Sequence, residues 1–120
     1  MPQVYILTNI AMPGLVKVGH SFDAKERAKQ LSSASGVPCD FDVAYAQDIP
    51  LAQEAETFAH AELVDRRVNS RREFFLTSRT TAINAVQLAA LAVLWNAAGS
   101  VAREEFLCRI DRPIMDRQFA

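Results

Sequence analysis

The chain has 120 residues, of which 50% are hydrophobic and 22% are charged, and its formal net charge at pH 7 is -1. This length supports one domain with a two-layer core and is too short for two such domains. The ordinary apolar fraction excludes an intrinsically disordered chain, and the near-neutral charge excludes a protein that binds nucleic acid through its whole-molecule field. Any attraction to phosphate must therefore come from a local cluster of basic residues.

The N-terminus and the cysteines indicate the cellular compartment expected for this chain. The N-terminal stretch lacks the basic region and apolar core of a secretory signal, so we expect a cytoplasmic protein. Cys39 and Cys108 are far apart in the sequence and form no CxxC or Cys/His cluster. We therefore expect two reduced thiols, with no redox chemistry and no metal held by cysteine.

Two short runs near the N-terminus predict a β-hairpin. Residues 3–8 and 15–19 are rich in β-branched and aromatic residues, and the segment between them ends in the turn pair Pro13-Gly14. Because side chains alternate along a strand, Tyr5 and Lys17 each stand as a polar-tipped residue among apolar neighbours on one face of their strand. The rest of the chain supplies charged residues that could meet them.

A helix and a third strand follow the hairpin. Asp23 and Glu26 form the reciprocal capping pattern, an apolar stripe runs through the next turns, and Gly36 stands just beyond the end. Arg27 lies beside that stripe, so we expect its guanidinium at the edge of the buried face, directed toward the hairpin. The alternating residues 41–46 then predict a third strand.

Residues 50–64 predict a second helix, followed by a basic turn. Glu56 and His60 are four residues apart on this helix, which makes a hydrogen bond or ion pair between them geometrically easy. The turn contains Arg66, Arg67, Arg71 and Arg72. Such a cluster is either a solvated surface or a phosphate-binding patch, and these arginines are our candidates for contact with a nucleic-acid backbone.

The C-terminal part of the chain is dominated by an apolar helix. Residues 73–77 form a short apolar run that is either an edge strand or the start of the next helix. Ser78 is the N-cap candidate for a helix over 80–98, whose apolar residues point nearly all round. Such a helix is central to the fold or shared with a partner subunit, so a homodimer through it is one expectation. Polar residues interrupt it, and we expect no membrane span. Residues 99–120 would form a C-terminal helical extension and tail.

Four segments, taken in order, resemble a known nuclease family. Gln3-Val4-Tyr5 and Lys17-Val18-Gly19 are similar to the two motifs that name the GIY-YIG nuclease superfamily. The sequences of residues 26–32 and 72–75 especially resemble the compact phage-derived (T5-type) branch of that superfamily. The resemblance implies an α+β fold for residues 1–98, with a small three-stranded antiparallel sheet flanked by helices.

The resemblance also implies a set of site residues. Tyr5 would position or activate the attacking water, Arg27 would stabilise the phosphate, and Glu73 would hold a single Mg²⁺ or Mn²⁺ ion. Gly19 matches the motif glycine that permits close approach, and His60 matches a histidine common in this branch. Phosphodiester hydrolysis needs an activated water, neutralised phosphate oxygens and in-line geometry, and these residue types meet those needs.

Two positions depart from the family motifs. Gln3 replaces the glycine of the first motif, a change that a strand interior tolerates. Lys17 replaces the tyrosine of the second motif. Its ammonium would favour the phenolate of Tyr5 by lowering the pKa of that phenol from its ordinary value of about 10. The sequence thus predicts a metal-dependent endonuclease that hydrolyses DNA with a single-ion site. The alternative is a catalytically inactive module of the same fold that binds nucleic acid or assembles with protein.

Overall fold

The fold is an α+β domain built on a four-stranded antiparallel sheet. The protein is described by a computed structural model that covers residues 1–34, 36–69, 73–99 and 104. The strands, in the sheet order β3-β1-β2-β4, are β1 (Gln3–Thr8), β2 (Leu15–Ser21), β3 (Asp42–Asp48) and β4 (Phe74–Leu76). The helices are α1 (Ala24–Ser32), α2 (Ala52–Glu62) and α3 (Arg79–Ala97), with a short 3-10 helix at Val64–Arg66. The predicted fold class is confirmed.

The N-terminal hairpin forms as predicted and sets the register of the sheet. Tyr5 lies opposite Gly19, and Leu7 lies opposite Lys17. Gly14 takes the positive φ of 82° that the turn requires, a conformation open to glycine at little steric cost. The central position of β1, between β2 and β3, explains why its middle residues are buried.

The apolar run 73–77, which the sequence left as either an edge strand or the start of a helix, contains the strand β4. β4 pairs with β2, placing Phe74 opposite Lys17, and the N–H of Val18 donates to the carbonyl of Glu73 at 3.2 Å. The expected three-stranded sheet was therefore wrong by one edge strand. Three residues are too few to show a strand pattern, and only the partner strand makes them one.

Side-chain caps place the helices where the sequence predicted them. The Asp23 carboxylate accepts from the N–H of Glu26 at 3.2 Å, and the Ser78 hydroxyl accepts from the N–H of Thr81 at 3.2 Å. These bonds satisfy N–H groups that have no partner within the helix. α2 has no such cap, and it begins at Ala52, two residues later than predicted.

The helices cover the two faces of the sheet unequally. α2 and α3 enclose one face in what we call the large core, which includes the fully buried Val4, Ile6, Val18, Phe75 and Val86. α1 covers the other face with the small core, whose buried members are Tyr5, Leu7, Ala24 and Ala28. A tyrosine expected to act in a site therefore belongs to the smaller of the two cores.

α3 is apolar on its exposed side as well as on its buried side. Leu88, Leu91 and Leu94 are 48%, 60% and 48% exposed. By length and composition alone α3 is long and apolar enough to cross a membrane, but core helices pass the same test and the observation is weak. Most of the predicted extension over 99–120, with Cys108, lies outside the described residues.

Candidate active site

An open cleft of about 750 Å³ brings several of the predicted site residues together. Its lining includes Tyr5 from β1, His20 from β2, Arg27 from α1, Glu56 from α2 and Glu73 just before β4. Elements that are far apart in the sequence therefore meet at one end of the sheet, where a substrate could enter.

The ring of Tyr5 lies across Gly19. Tyr5 is 2% exposed, and a Cβ built on Gly19 would stand 2.6 Å from Cζ of Tyr5 and 2.9 Å from its Cε1. Any side chain at position 19 would displace the phenol, so this position requires glycine. The group that approaches is the phenol of Tyr5 itself.

The guanidinium of Arg27 influences the ionisation of the Tyr5 hydroxyl. Burial raises the pKa of Tyr5 above its ordinary value of 10.0, Arg27 opposes that rise, and the carboxylates of Glu73 and Glu56 add to it. Arg27 is exposed, and its Nη1 also donates to Oε1 of Gln30 at 3.3 Å. Tyr5 is therefore a neutral phenol at pH 7, held beside a cation at the wall of the cleft.

Lys17 pairs with Glu73. Its Nζ lies 3.5 Å from Oε2 of Glu73 and 5.2 Å from the centroid of the Phe74 ring. The expectation that Lys17 lowers the pKa of Tyr5 was wrong, because burial dominates that pKa and the cation beside the phenol is Arg27. Lys17 instead brings positive charge to the carboxylate expected to hold the metal.

Three side chains converge as a candidate metal centre. Glu56, His60 and Glu73 each offer one ligand atom, and these atoms all lie within 4.8 Å of one another. Burial raises the pKa of Glu56, and the neighbouring Glu73 raises it further while a hydrogen bond from His20 opposes the rise. Two carboxylates that disfavour each other's charge are the donor set that a hard divalent cation stabilises. The residues present therefore fit Mg²⁺ or Mn²⁺.

His60 is held by the backbone of the sheet. Its Nε2 donates to the carbonyl of Val18 at 2.8 Å and lies 3.7 Å from Oε1 of Glu56. The ring also packs on Phe75, with centroids 5.1 Å apart. Because the bond to Val18 places the proton on Nε2, the free lone pair of a neutral ring is on Nδ1. His60 thus fixes α2 against β2, whatever further role it has.

Two cleft residues that bond to each other, Glu56 and His20, were absent from the predicted site. Glu56 was noticed only as the i, i+4 neighbour of His60, and that pair was the signal that could have found it. His20 follows the motif glycine and hydrogen-bonds through Nδ1 to Oε2 of Glu56. The sequence carried no signal for His20, since its partner lies on a helix 36 positions away.

The basic turn is only partly described. Arg66 is exposed in the 3-10 helix, whereas Arg67 is half-buried with its guanidinium 5.8 Å from the centroid of the Phe75 ring. Arg67 therefore packs against the large core, in addition to any contact it makes with nucleic acid. Arg71 and Arg72 lie outside the described residues.

Comparison with known proteins gives one family. The model of the T5orf172 domain matches residues 3–90, a span that includes Tyr5, Arg27 and Glu73 of the cleft and the whole candidate metal centre. No significant match was found among curated proteins or among solved structures.

Proposed function

The chain belongs to the T5orf172 domain family, a phage-associated domain family related to nuclease-like folds, and from this we propose that it is a metal-dependent endonuclease that hydrolyses DNA phosphodiester bonds. Family membership supports a nuclease-like or DNA-related role. The observation that carries the endonuclease proposal is the convergence of Glu56, His60 and Glu73. Two of them, Glu56 and Glu73, line the cleft together with Tyr5 and Arg27. The roles proposed for Tyr5, Arg27 and Glu73 come from the resemblance of the sequence to GIY-YIG nucleases.

Glu73 and Glu56 are the proposed ligands of Mg²⁺ or Mn²⁺. Their oxygens are the donors that these ions prefer, and both carboxylates line the cleft. When bound, such an ion neutralises charge on phosphate oxygens and lowers the pKa of a coordinated water. Lys17 pairs with Glu73 and so adds positive charge where the phosphate would lie.

Tyr5 and Arg27 are proposed to act as a pair on the water and the phosphate. A neutral phenol can both donate and accept a hydrogen bond, so Tyr5 can orient a water for in-line attack. Because burial raises the pKa of Tyr5, its neutral phenol is proposed to orient the water. Arg27 is exposed and supplies further donors for a non-bridging oxygen, where charge develops in the transition state.

A cleavage assay tests this function. Supercoiled plasmid, branched DNA and single-stranded oligonucleotides are incubated with Mg²⁺, with Mn²⁺ or with EDTA, using the wild type, Glu73→Gln and Tyr5→Phe. We expect cutting that requires the ion and falls by about 100-fold or more in each variant. Glu62→Gln and Tyr45→Phe are the matched controls, since these residues lie outside the cleft lining. Equal cutting by Glu73→Gln, or no cutting of any substrate by the folded wild type, would overturn the proposal.

The exposed side of α3 favours a second candidate function, that of an assembly module. Leu88, Leu91 and Leu94 form an apolar surface on the helix that the sequence assigned to a homodimer. Sedimentation at micromolar concentration measures the assembly directly. A dimer that Leu91→Glu converts to a monomer would support this function, and a wild-type monomer would remove it.

A further inference from the structure

Phe22 is an aromatic residue placed in solvent at the mouth of the cleft. At 83% exposed, it is the most exposed of the large hydrophobic residues that the structure describes. It follows β2 directly and lines the same cleft as Tyr5, Arg27 and Glu73. Neither the fold nor the proposed hydrolysis accounts for a phenyl ring in water at this position.

The backbone around Phe22 is held on both sides. Ser21 before it pairs with Gln3 in the sheet, and Asp23 after it caps α1. The Gln3 side chain adds a brace, because its Oε1 accepts from the N–H of Ala24 at 2.9 Å. Phe22 therefore stands between the fixed end of a strand and the fixed start of a helix.

The lining of the cleft combines apolar and polar side chains. Pro2, Phe22, Pro50 and Leu51 contribute apolar groups, while Tyr5, Arg27, Glu56 and Glu73 contribute polar ones. A continuous duplex presents its sugar–phosphate backbone outward and keeps its base faces stacked inside, so it offers Phe22 no base face to stack on. An unpaired nucleobase exposes an apolar face of the size of a phenyl ring, and stacking of this kind is tolerant of sequence.

We propose that Phe22 is a stacking platform for an unpaired nucleobase, and that the cleft takes single-stranded or branched DNA. This inference rests on the proposed function, whose substrate class it narrows. The base would stack on Phe22 while an adjacent phosphate lies at Arg27. A formal net charge of -1 gives the chain little general attraction for duplex, so stacking would supply affinity that does not depend on charge.

Equilibrium binding in EDTA tests the inference without cleavage. Fluorescence anisotropy is measured for a labelled oligothymidine strand, an abasic strand of the same length and a blunt hairpin duplex. We expect Phe22→Ala to weaken binding of oligothymidine by roughly 5- to 150-fold, as expected for the loss of one stacked base. Phe22→Trp should retain or strengthen that binding. Binding of the abasic strand and of the duplex should be the same in the wild type and in Phe22→Ala.

Ile10→Ala is the matched control, because Ile10 is 80% exposed at the far hairpin turn. It should leave all three affinities unchanged. Wild-type binding to oligothymidine that Phe22→Ala leaves intact would overturn the inference, as would an equal loss on the abasic strand.

Cleavage measured in parallel separates this inference from the proposed function. Ion-dependent cutting of DNA together with no effect of Phe22→Ala on oligothymidine binding would overturn the stacking alone. Binding that depends on Phe22, with no substrate cut under any condition, would overturn the proposed hydrolysis and leave the stacking in place.

Discussion

On one face of the sheet, α2 and α3 enclose the large core, whose members include Val4, Ile6 and Phe75, each 0% exposed. On the other face, α1 covers the small core, which has four buried members among the described residues, one of them Tyr5. The large core has the apolar area to hold the domain together. The cleft lies at one end of the sheet, where Tyr5 and Arg27 from the small-core side meet Glu56 from the large-core side. The candidate site thus takes residues from both faces, while one face supplies most of the buried apolar area.

Glu73 lies where the two faces meet. It precedes the edge strand β4, and its carbonyl bonds to Val18, whose side chain belongs to the large core. Its carboxylate pairs with Lys17, which points to the opposite face because side chains alternate along β2. The same carboxylate lies near Glu56 and His60 of α2. One residue therefore links the stabilising face to the face of Tyr5.

The largest effect on stability should come from the large core. Phe75→Ala removes a ring that is 0% exposed and packs on His60, and it should lower the free energy of unfolding by about 3–5 kcal/mol. Leu76→Ala, next to it on β4 and 63% exposed, should change stability by less than about 0.5 kcal/mol. Urea unfolding followed by circular dichroism measures both. Similar losses in the two variants would contradict the assignment of Phe75 to the large core.

In the small core, adding a single methyl group at Gly19 should affect function as well as stability. Gly19→Ala forces the Tyr5 ring aside, since its Cβ would lie 2.6 Å from Cζ. We expect a loss of about 1–3 kcal/mol in stability and of roughly 100-fold in DNA cleavage. Gly99→Ala, where an added Cβ meets nothing within 4 Å, is the control and should change neither quantity. A Gly19→Ala protein that cuts at the wild-type rate would show that the position of the phenol is unimportant.

The link between the faces can be tested by ion binding. At a free Mn²⁺ concentration ten times the dissociation constant, binding should stabilise the wild type by about 1.4 kcal/mol. Glu56→Gln removes one ligand of the proposed centre, so most of this gain should disappear, while Glu62→Gln on the exposed side of α2 should keep it. Thermal unfolding with Mn²⁺ and with EDTA measures the gain. The same gain in Glu56→Gln would remove Glu56 from the centre.

Local patterns predicted most of the fold. The hairpin, the Asp23 and Ser78 caps and the α3 helix depend on neighbours within a few positions, and all of them form. β4 could not be predicted, because three residues become a strand only when β2 is beside them. The assignments to Arg71 and Arg72 stay predictions.

The candidate site was predictable only where a motif carried it. Tyr5, Arg27 and Glu73 came from the resemblance, and the structure brings them to one cleft. The pairing of Lys17 with Glu73 was missed. The alternation along β2 shows on which face of the sheet Lys17 lies, but it does not show which charged residue of another element lies beside it. His20 was missed for the same reason, since its bond to Glu56 depends on how α2 packs.

The smallest expected effect concerns the protonation of Tyr5. Since its pKa in the folded protein is raised above the ordinary value of 10.0, the neutral phenol contributes stability that is complete below that value and is lost as the pH rises through the folded pKa. The charged groups facing it are Arg27 from α1, Glu56 from α2 and Glu73 before β4. The free energy of unfolding should therefore fall more steeply above about pH 10 in the wild type than in Tyr5→Phe.

Lysines titrate in the same range in both proteins, so the difference between the two curves isolates Tyr5. Urea unfolding between about pH 8 and 11 measures it, with Tyr45→Phe expected to follow the wild type. Parallel curves for the wild type and Tyr5→Phe would mean that water reaches the phenol, and that the small core is open where the structure shows it closed.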